Sequence, residues 1–348
     1  MAKKNGKHKR TTLALVESPA QLLNVVEWAF AHGAEGQTRL AVLPPRDVTT
    51  RLQLEAVADL AREAGLAATW YEPRKSAASL VAVAWELFPK LAKAERLVVG
   101  DPFSRFVQAV LPLADVSEVV VVDDGTATIS FITQLTRGDR LSRWHLAEGG
   151  RDVVIDLLSE HARDFFTPSK RDGRSIEVFT AMPVQVPPGT RQSTNTFAWT
   201  RSRFGPPVVT DTVDVVGTSL VETGVVDADR YLAGVVAVTE RFGAGRYFAH
   251  RRESDAKLAT IEARTGLRVV RPDVPLEIAV RRGPVSRLMV SYPSTVMHTL
   301  PLVLVDTPVE LAVADVPTGW LTPGAPVAAG DFLEHVTNTA RKRHTALT

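Results

Sequence analysis

Two neighbouring carboxylates followed by a glycine stand at the end of a strongly apolar run. The run Glu118–Val122 reads EVVVV and leads directly into Asp123, Asp124 and Gly125. Asp-Gly is a common turn pair, so a plain turn explains this sequence as well as a reactive site does. Two adjacent carboxylates repel one another, however, and such repulsion raises a carboxyl pKa towards the range of a general base. Asp123 or Asp124 is therefore a candidate for deprotonating a hydroxyl group.

A histidine and two arginines follow a second short apolar run, Arg246–Ala249. His250, Arg251 and Arg252 can be interpreted as a solvated basic loop. They can equally be interpreted as a phosphate clamp, because arginine makes bidentate contacts and histidine supplies a proton or a hydrogen bond. Their place at the end of a predicted strand makes His250 and Arg252 candidates for contacting a leaving phosphate.

Hydroxyl side chains open two predicted helices. Ser18 precedes Pro19 at the start of a helix over Ala20–His32, and Ser294 is the predicted N-cap of a short helix that also contains Thr295. A capped helix start needs no ligand. The N-terminus of a helix also attracts anions, so both positions are candidate binding sites.

Strands and helices alternate along both halves of the chain. The predicted strands are Thr12–Val16, Arg39–Leu43, Leu66–Tyr71, Arg96–Gly100, Glu118–Val122, Thr212–Val216, Arg246–Ala249, Leu267–Val270, Val285–Ser291 and Pro301–Val305. The predicted helices are Ala20–His32, Thr50–Ala64, Ala77–Ala94, Asp227–Arg241, Ser254–Thr265, Ser294–Leu300 and Gly330–Arg343. Such alternation predicts βαβ units and parallel sheets, whose ligands bind beyond the carboxyl ends of the strands. The polar clusters all lie at such strand ends.

A stretch rich in proline, glycine and serine separates the two halves. We therefore predict two α/β domains with parallel sheets. The predicted boundaries are a disordered basic tail at 1–11, an N-terminal Rossmann-like domain at 12–170, an interdomain segment at 171–207, a C-terminal Rossmann-like domain at 208–329 and a C-terminal helix at 330–348.

Composition excludes several classes of protein. Lys and Arg number 41 against 39 Asp and Glu, which disfavours bulk binding of nucleic acid, and the absence of cysteine excludes disulfides and thiolate chemistry. Neither a membrane-spanning run nor histidines at metal-ligand spacing are found, so we expect a soluble cytoplasmic protein without a metal. The basic residues at 1–10 predict, at most, a peripheral contact with anionic lipid at the inner membrane face.

The polar clusters, taken in order, resemble the bacterial sialyltransferase and polysialyltransferase group of GT-B glycosyltransferases. The matching segments are Ser18–Asn24 (SPAQLLN), Asp123–Gly125 (DDG), Gly217–Glu222 (GTSLVE), Tyr247–Glu253 (YFAHRRE), Pro275–Glu277 (PLE) and the pair Ser294 and Thr295. Each segment is short. The set extends from about residue 12 to residue 305 and so covers most of the chain.

The resemblance implies a GT-B fold, in which two Rossmann-like domains face one another across a cleft. It implies an inverting, metal-independent transfer of a sialic-acid-like sugar from a CMP donor to a glycan acceptor of the cell surface or capsule. The CMP-sugar would be a substrate, and no cofactor would be needed. Asp123 or Asp124 would be the base, and His250 would assist departure of the CMP phosphate.

The resemblance also implies which residues bind the substrates. Ser294 and Thr295 would hold the phosphate, Arg252 would add positive charge, and Glu277 would hold the ribose or the base. The remaining implied binding residues are Ser18, Gln21, Asn24, Gly125 and Ser219.

One residue departs from the family pattern. The group has proline after the histidine, where this chain has Arg251. Proline fixes the backbone φ of the loop that presents the imidazole. The departure leaves two alternatives open. One is a GT-B transferase or epimerase acting on a UDP- or GDP-sugar, and the other is a non-catalytic protein that binds a nucleotide or glycan.

Overall fold

The chain forms two compact units, Met1–Trp199 and Thr200–Thr348. The computed structural model describes residues 11–143, 153–169 and 173–325, together with residues 330, 333, 337, 345 and 346. The tail predicted at 1–11 lies outside the described residues except for Thr11. The helix predicted at 330–348 lies outside them except for the five last-named positions, of which Thr345–Ala346 is a short strand. No helix in the described part of the chain is long and apolar enough to cross a membrane.

The first unit is built on a seven-stranded parallel sheet. Its strands are β1 (Thr12–Val16), β2 (Thr38–Val42), β3 (Ala67–Trp70), β4 (Arg96–Val99), β5 (Glu118–Val122), β6 (Ser175–Thr180) and β7 (Thr190–Thr194). Their order in the sheet is β3-β2-β1-β4-β5-β6-β7. The apolar strands β1 and β5 are buried along their whole length, as expected for a sheet covered on both faces.

In the described part of the first unit, six helices lie between the strands of this sheet. They are α1 (Pro19–His32), α2 (Val48–Glu63), α3 (Ala77–Leu91), α4 (Arg105–Val110), α5 (Thr126–Arg137) and α6 (Val153–Phe166). Right-handed crossovers place α1 and α2 on one face and α3 to α6 on the other, because the strand order reverses after β3. Apolar residues of α3 to α6 accordingly share one core cluster with the strand side chains that point to the same face of the sheet.

Two strands of this sheet lie within the range 171–207, which the sequence assigned to the interdomain segment. Ser175–Thr180 pairs with β5, and Thr190–Thr194 pairs with Ser175–Thr180. The helix α7 (Ala198–Phe204) then spans the boundary between the units. The proline and glycine residues that suggested a linker lie mainly in the turn between β6 and β7.

The second unit carries a six-stranded parallel sheet. Its strands are β8 (Val209–Val216), β9 (Arg246–Phe248), β10 (Arg268–Val270), β11 (Val285–Ser291), β12 (Glu310–Val313) and β13 (Thr345–Ala346), in the order β10-β9-β8-β11-β12-β13. Its helices between residues 205 and 325 are α8 (Ala228–Phe242), α9 (Asp255–Thr265), α10 (Leu276–Arg282) and α11 (Val296–Val303), and the described residues 330, 333 and 337 are also helical. Two Rossmann-like domains in one chain, the predicted fold class, are confirmed. Their arrangement about a cleft stays a prediction.

Two predictions for the second half are wrong. The run Pro301–Val305 was expected to be a strand, but its first three residues belong to α11 and the strand comes later, at Glu310–Val313. A short apolar run has no periodicity that separates strand from helix. The N-cap of α11 is Thr295, not Ser294, and its side chain makes no capping hydrogen bond.

Strand order reverses at one point in each sheet. In the first sheet the reversal lies between β1 and β4, and in the second between β8 and β11. Ligands of open α/β sheets bind beyond the carboxyl ends of the strands at such a switch point. The residues that follow Val16, Val99, Val216 and Ser291 are therefore the first places to look for a site.

Candidate active site

Asp123 is a buried carboxylate that holds the end of the neighbouring strand. Its Oδ1 accepts a hydrogen bond from the Thr180 hydroxyl at 2.5 Å, and its Oδ2 accepts one from the Ala181 backbone N–H at 2.6 Å. Burial raises the pKa of Asp123 to about 6. Both oxygens are engaged within the protein, which favours a positioning role for this side chain.

Asp124 points a different way and is only half-buried. The Ser18 hydroxyl donates to its Oδ1 over 3.4 Å, and its backbone N–H donates to Thr128 Oγ1 at 3.0 Å. Gly125 follows with φ 64° and ψ −127°, a conformation that side chains disfavour, and α5 begins at the next residue. Of the two predicted carboxylates, Asp124 is the more accessible to a substrate.

The start of α1 ties this cluster to strand β1. Ser18 caps the helix by accepting from the Gln21 N–H at 3.3 Å, and the Gln21 Oε1 accepts from the Glu17 N–H at 2.7 Å. The Asn24 amide donates to the Asp123 carbonyl at 2.9 Å. Gln21 and Asn24 are both buried and both bonded to the chain. These contacts favour positioning roles for them over the predicted contact with substrate.

Sequence reasoning missed Asp101, which follows β4 at the switch point. Its Oδ1 accepts from the Phe103 N–H at 2.9 Å, and its Oδ2 forms an ion pair with Arg143. Burial, together with the negative charge of Asp124, raises the pKa of Asp101 to about 6. The strand ending at Val99 was predicted correctly, so the switch-point rule applied to it would have found this residue.

Glu17 completes an acidic cluster, which we define as Glu17, Asp101 and Asp124. The Glu17 Oε1 accepts from the Ser104 hydroxyl at 2.7 Å and pairs with Arg74 at the same distance. The charges of both Glu17 and Asp124 raise the pKa of Asp101, so both carboxylates lie within electrostatic reach of Asp101. A carboxyl group whose pKa is raised by burial and by neighbouring negative charge, as that of Asp101 is, has the chemistry of a proton acceptor.

His250 of the second unit is held as a neutral imidazole. Its Nδ1 accepts a hydrogen bond from the Arg252 backbone N–H at 3.2 Å, which assigns the ring proton to Nε2. Burial lowers the pKa of His250 to about 3, and the charges of Arg251, Arg252 and Lys257 add to the effect. The ring can therefore offer an Nε2–H hydrogen bond at neutral pH but holds no second proton to give.

A buried network behind His250 fixes its backbone. The Glu253 Oε2 accepts from the His250 N–H at 2.6 Å, while the Glu253 Oε1 accepts from the Tyr247 hydroxyl at 2.6 Å and from Lys257 at 2.8 Å. Gly217 packs directly against this network, since a Cβ there would lie 2.3 Å from Glu253 Oε2. Glu253 was part of the sequence motif, but its role behind the histidine appears only in three dimensions.

Ser294 and Thr295 lie at the N-terminus of α11, beyond the switch-point strand β11. The Ser291 and Ser294 hydroxyls are 3.4 Å apart, and no side chain among the described residues caps the helix. Val216 pairs with both Phe248 and Ser291, so the loops after β8, β9 and β11 leave the sheet at one edge. This edge presents an imidazole N–H and a helix N-terminus, both of which suit an anion.

The last three predicted binding residues, Glu277, Arg252 and Ser219, all belong to the second unit. Glu277 lies in the first turn of α10 and accepts from the Thr299 hydroxyl of α11 at 2.7 Å. Arg252 is exposed and contributes its backbone N–H to His250. Ser219 lies half-buried in the loop after β8, where its carbonyl accepts from the Thr223 N–H at 2.9 Å.

No protein-family model matches the chain, and no curated protein matches it in sequence. Among solved structures it is similar to the E. coli heptosyltransferase WaaC with ADP-2-deoxy-2-fluoro heptose, at 12% identity over 93% of this chain and 99% of that one, with a TM-score of 0.44. It is also similar to an α/β-galactoside α-2,3-sialyltransferase from Photobacterium phosphoreum, at 10% identity over 96% of each chain, with a TM-score of 0.49.

A third similar structure is a putative UDP-N-acetylglucosamine 2-epimerase from Listeria monocytogenes. It is 10% identical over 90% of this chain and 80% of that one, with a TM-score of 0.47. Two of these three proteins are glycosyltransferases, and they transfer different sugars.

Proposed function

We propose that the chain is an inverting glycosyltransferase that moves a sialic-acid-like sugar from a CMP donor to a glycan acceptor. The observation that carries the proposal is the complementary chemistry at the two switch points. The first unit offers a proton acceptor. The second offers a neutral imidazole N–H and, at the same edge of its sheet, the N-terminus of α11, which no described side chain caps. Glycosyl transfer needs one group of each kind.

In the proposed reaction Asp124 takes the proton from the acceptor hydroxyl. The acceptor oxygen then forms a bond to the anomeric carbon of the donor sugar while the bond from that carbon to the CMP phosphate oxygen breaks. The phosphate leaves with the electron pair of the broken bond. The His250 Nε2–H and the α11 N-terminus receive its charge, with Ser294 and Thr295 as further donors.

His250 acts in this scheme through a hydrogen bond and not as a proton donor. Its lowered pKa leaves the ring neutral at the start of the reaction. A phosphate monoester has its second pKa near 6, so a departing CMP phosphate does not require protonation at neutral pH. A stable hydrogen-bond donor is therefore sufficient for this leaving group.

The test compares donor turnover by the wild type, Asp124→Asn and Asp123→Asn. We expect Asp124→Asn to lower turnover of CMP-sialic acid about a hundredfold or more, since general base catalysis contributes roughly 10²–10⁴-fold. Asp123→Asn is the matched control, because an amide at this position can still accept from Ala181 N–H and bond Thr180. Equal activity of wild type and Asp124→Asn would sink the assigned role.

Calorimetry separates this proposal from its alternatives. Binding of CMP in preference to UDP, GDP and ADP supports the CMP donor. Preference for UDP or GDP favours a transferase or epimerase acting on those sugars. Binding of a nucleotide with no turnover of any matching donor favours a non-catalytic role.

A further inference from the structure

We propose that the outer surface of α3 is a docking surface for an anionic lipid membrane. The inner side of α3 is used by the fold, since Val83, Leu87 and Leu91 are buried in the core. Its outer side is apolar as well. Val81 is 65% exposed and Trp85 78% exposed, and the ring of Phe88 stacks on that of Trp85 with centroids 6.3 Å apart.

The apolar residues form a continuous strip along the helix. At about 100° per residue, the outward arc of roughly 140° holds only apolar side chains. These side chains, which we call the α3 strip, are Ala77, Ala78, Val81, Ala82, Trp85, Phe88, Pro89 and the cap residue Ala92. An outward helix face normally carries charge, so a strip of this length marks a contact surface.

Basic residues stand at both ends of the strip. Lys75 is exposed just before the helix, and Lys93 is exposed just after it. The carbonyl of Thr11 accepts from the N–H groups of Glu95 and Arg96 at 3.0 and 3.3 Å, which fixes the start of β1 beside the start of β4, a few residues after the end of α3. The ten residues that precede Thr11 in the sequence include five basic ones, Lys3, Lys4, Lys7, Lys9 and Arg10.

This combination fits a lipid surface. Tryptophan and phenylalanine favour the boundary between headgroups and acyl chains, while lysine and arginine are attracted to anionic headgroups. A protein with only one of these features binds a membrane weakly, whereas a protein that combines an apolar face with a polybasic segment binds it stably. The polybasic segment directly precedes Thr11 in the sequence, and Thr11 lies close to the segment that follows α3.

A second copy of the chain is a less favourable occupant. A symmetric contact through the α3 strip would bring the same basic residues of both copies together. Like charges across an interface repel, whereas an anionic membrane attracts every one of them.

The experiment measures sedimentation of the full-length protein with phospholipid vesicles. The vesicles are pure phosphatidylcholine or phosphatidylcholine mixed with phosphatidylglycerol. We expect the wild type to pellet with the mixed vesicles, less so at high salt. We expect the double variant Val81→Ser/Trp85→Ser to lower the partition coefficient about tenfold or more, since it removes the two most exposed apolar side chains of the strip.

The chain offers a matched control on the opposite face of the sheet. Val48 and Leu52 of α2 are 68% and 61% exposed and have the same spacing as Val81 and Trp85. Val48→Ser/Leu52→Ser should bind vesicles as the wild type does. All four positions are exposed, so both double variants should keep the wild-type melting temperature.

Three outcomes would overturn the proposal. They are a wild type that binds neither kind of vesicle, an α3 variant that binds as well as the control, and a lipid-free dimer that only the α3 variant loses. The last would make the strip a self-association surface. Vesicle binding needs no donor turnover, so this test is independent of the proposed catalytic function.

Discussion

His250 shows how its neighbours decide what a side chain can do. A histidine beside two arginines was expected to give a proton or a hydrogen bond to a phosphate. Burial and the surrounding positive charges lower its pKa to about 3, and Arg252 N–H occupies Nδ1. Only the hydrogen bond from Nε2 remains available, so the residue supplies a donor and not an acid.

This distinction gives a prediction for two substitutions at one position. His250→Ala removes the donor and should lower kcat for the CMP-sugar about a hundredfold, the usual cost of losing one donor to a developing negative charge. His250→Gln replaces the Nε2–H by an amide N–H and should recover much of the loss. Steady-state kinetics of both variants check this. If His250→Gln were as inactive as His250→Ala, proton donation would be indicated instead.

Asp123 and Asp124 show in the same way that the neighbours of a carboxylate decide what it can do. They are neighbours in sequence, yet one bonds Thr180 and Ala181 through both oxygens and the other faces Ser18. Successive residues at a strand end point in opposite directions, which is why one is buried and the other only half-buried. The sequence identified the pair but had no means of separating its members.

At the scale of elements, the loop that presents His250 depends on the loop after β8. Glu253 bonds the His250 N–H and lies against Gly217, where a Cβ would come within 2.3 Å of the carboxylate and 2.6 Å of the Tyr247 hydroxyl. Small residues after β8 are therefore required by packing, whatever ligand binds there.

Gly217→Ala should consequently displace Glu253 and loosen the His250 loop. We expect a loss of stability of about 1–3 kcal/mol from overpacking and a clear fall in turnover, measured by thermal unfolding and donor kinetics. Gly245→Ala is the matched control in the same unit, because nothing lies within 4 Å of a Cβ there. A Gly217→Ala protein as stable and active as Gly245→Ala would show that the network tolerates displacement.

Another element contact joins α1 to β6 through His32. Its Nδ1 lies 2.8 Å from the Trp28 carbonyl and its Nε2 3.5 Å from the buried Glu177 carboxylate. Both ring nitrogens thus face acceptors, and the hydrogen bond with Glu177 raises the pKa of His32. The charged imidazole is favoured by folding.

The pH dependence of stability follows from the sign of this shift. A histidine whose pKa is raised by folding contributes its full stabilisation below about pH 6.5, its unfolded value, and loses it as pH rises through the folded value. We expect the free energy of unfolding of wild type to exceed that of His32→Gln by more at about pH 5.5 than at about pH 8.5. Urea denaturation at both pH values checks this, and an equal difference at both would contradict it.

At the scale of the whole molecule, the alternation of strands and helices was readable because its signals are local. Apolar runs such as Glu118–Val122, helix caps such as Ser18 and Ser254, and stop signals such as Gly33 and Gly266 each act within a few residues. Most predicted elements therefore match the structure to within two residues. Failures came where the signal was ambiguous, as in the apolar run Pro301–Val305, or where β6 and β7 lay among turn residues.

In the candidate site, too, some properties follow from local sequence signals and others only from the tertiary structure. The sequence by itself determined two tandem domains with parallel sheets and placed Asp123, Asp124, His250 and Ser294 after strands, because periodicity and caps are set by near neighbours. Only the tertiary structure decided which carboxylate is open, that Asp101 and Glu17 join it, and that His250 is neutral. Those properties depend on burial and on charges brought together from distant parts of the chain. Asp123 meets Thr180 across 57 residues, a contact that no local pattern encodes.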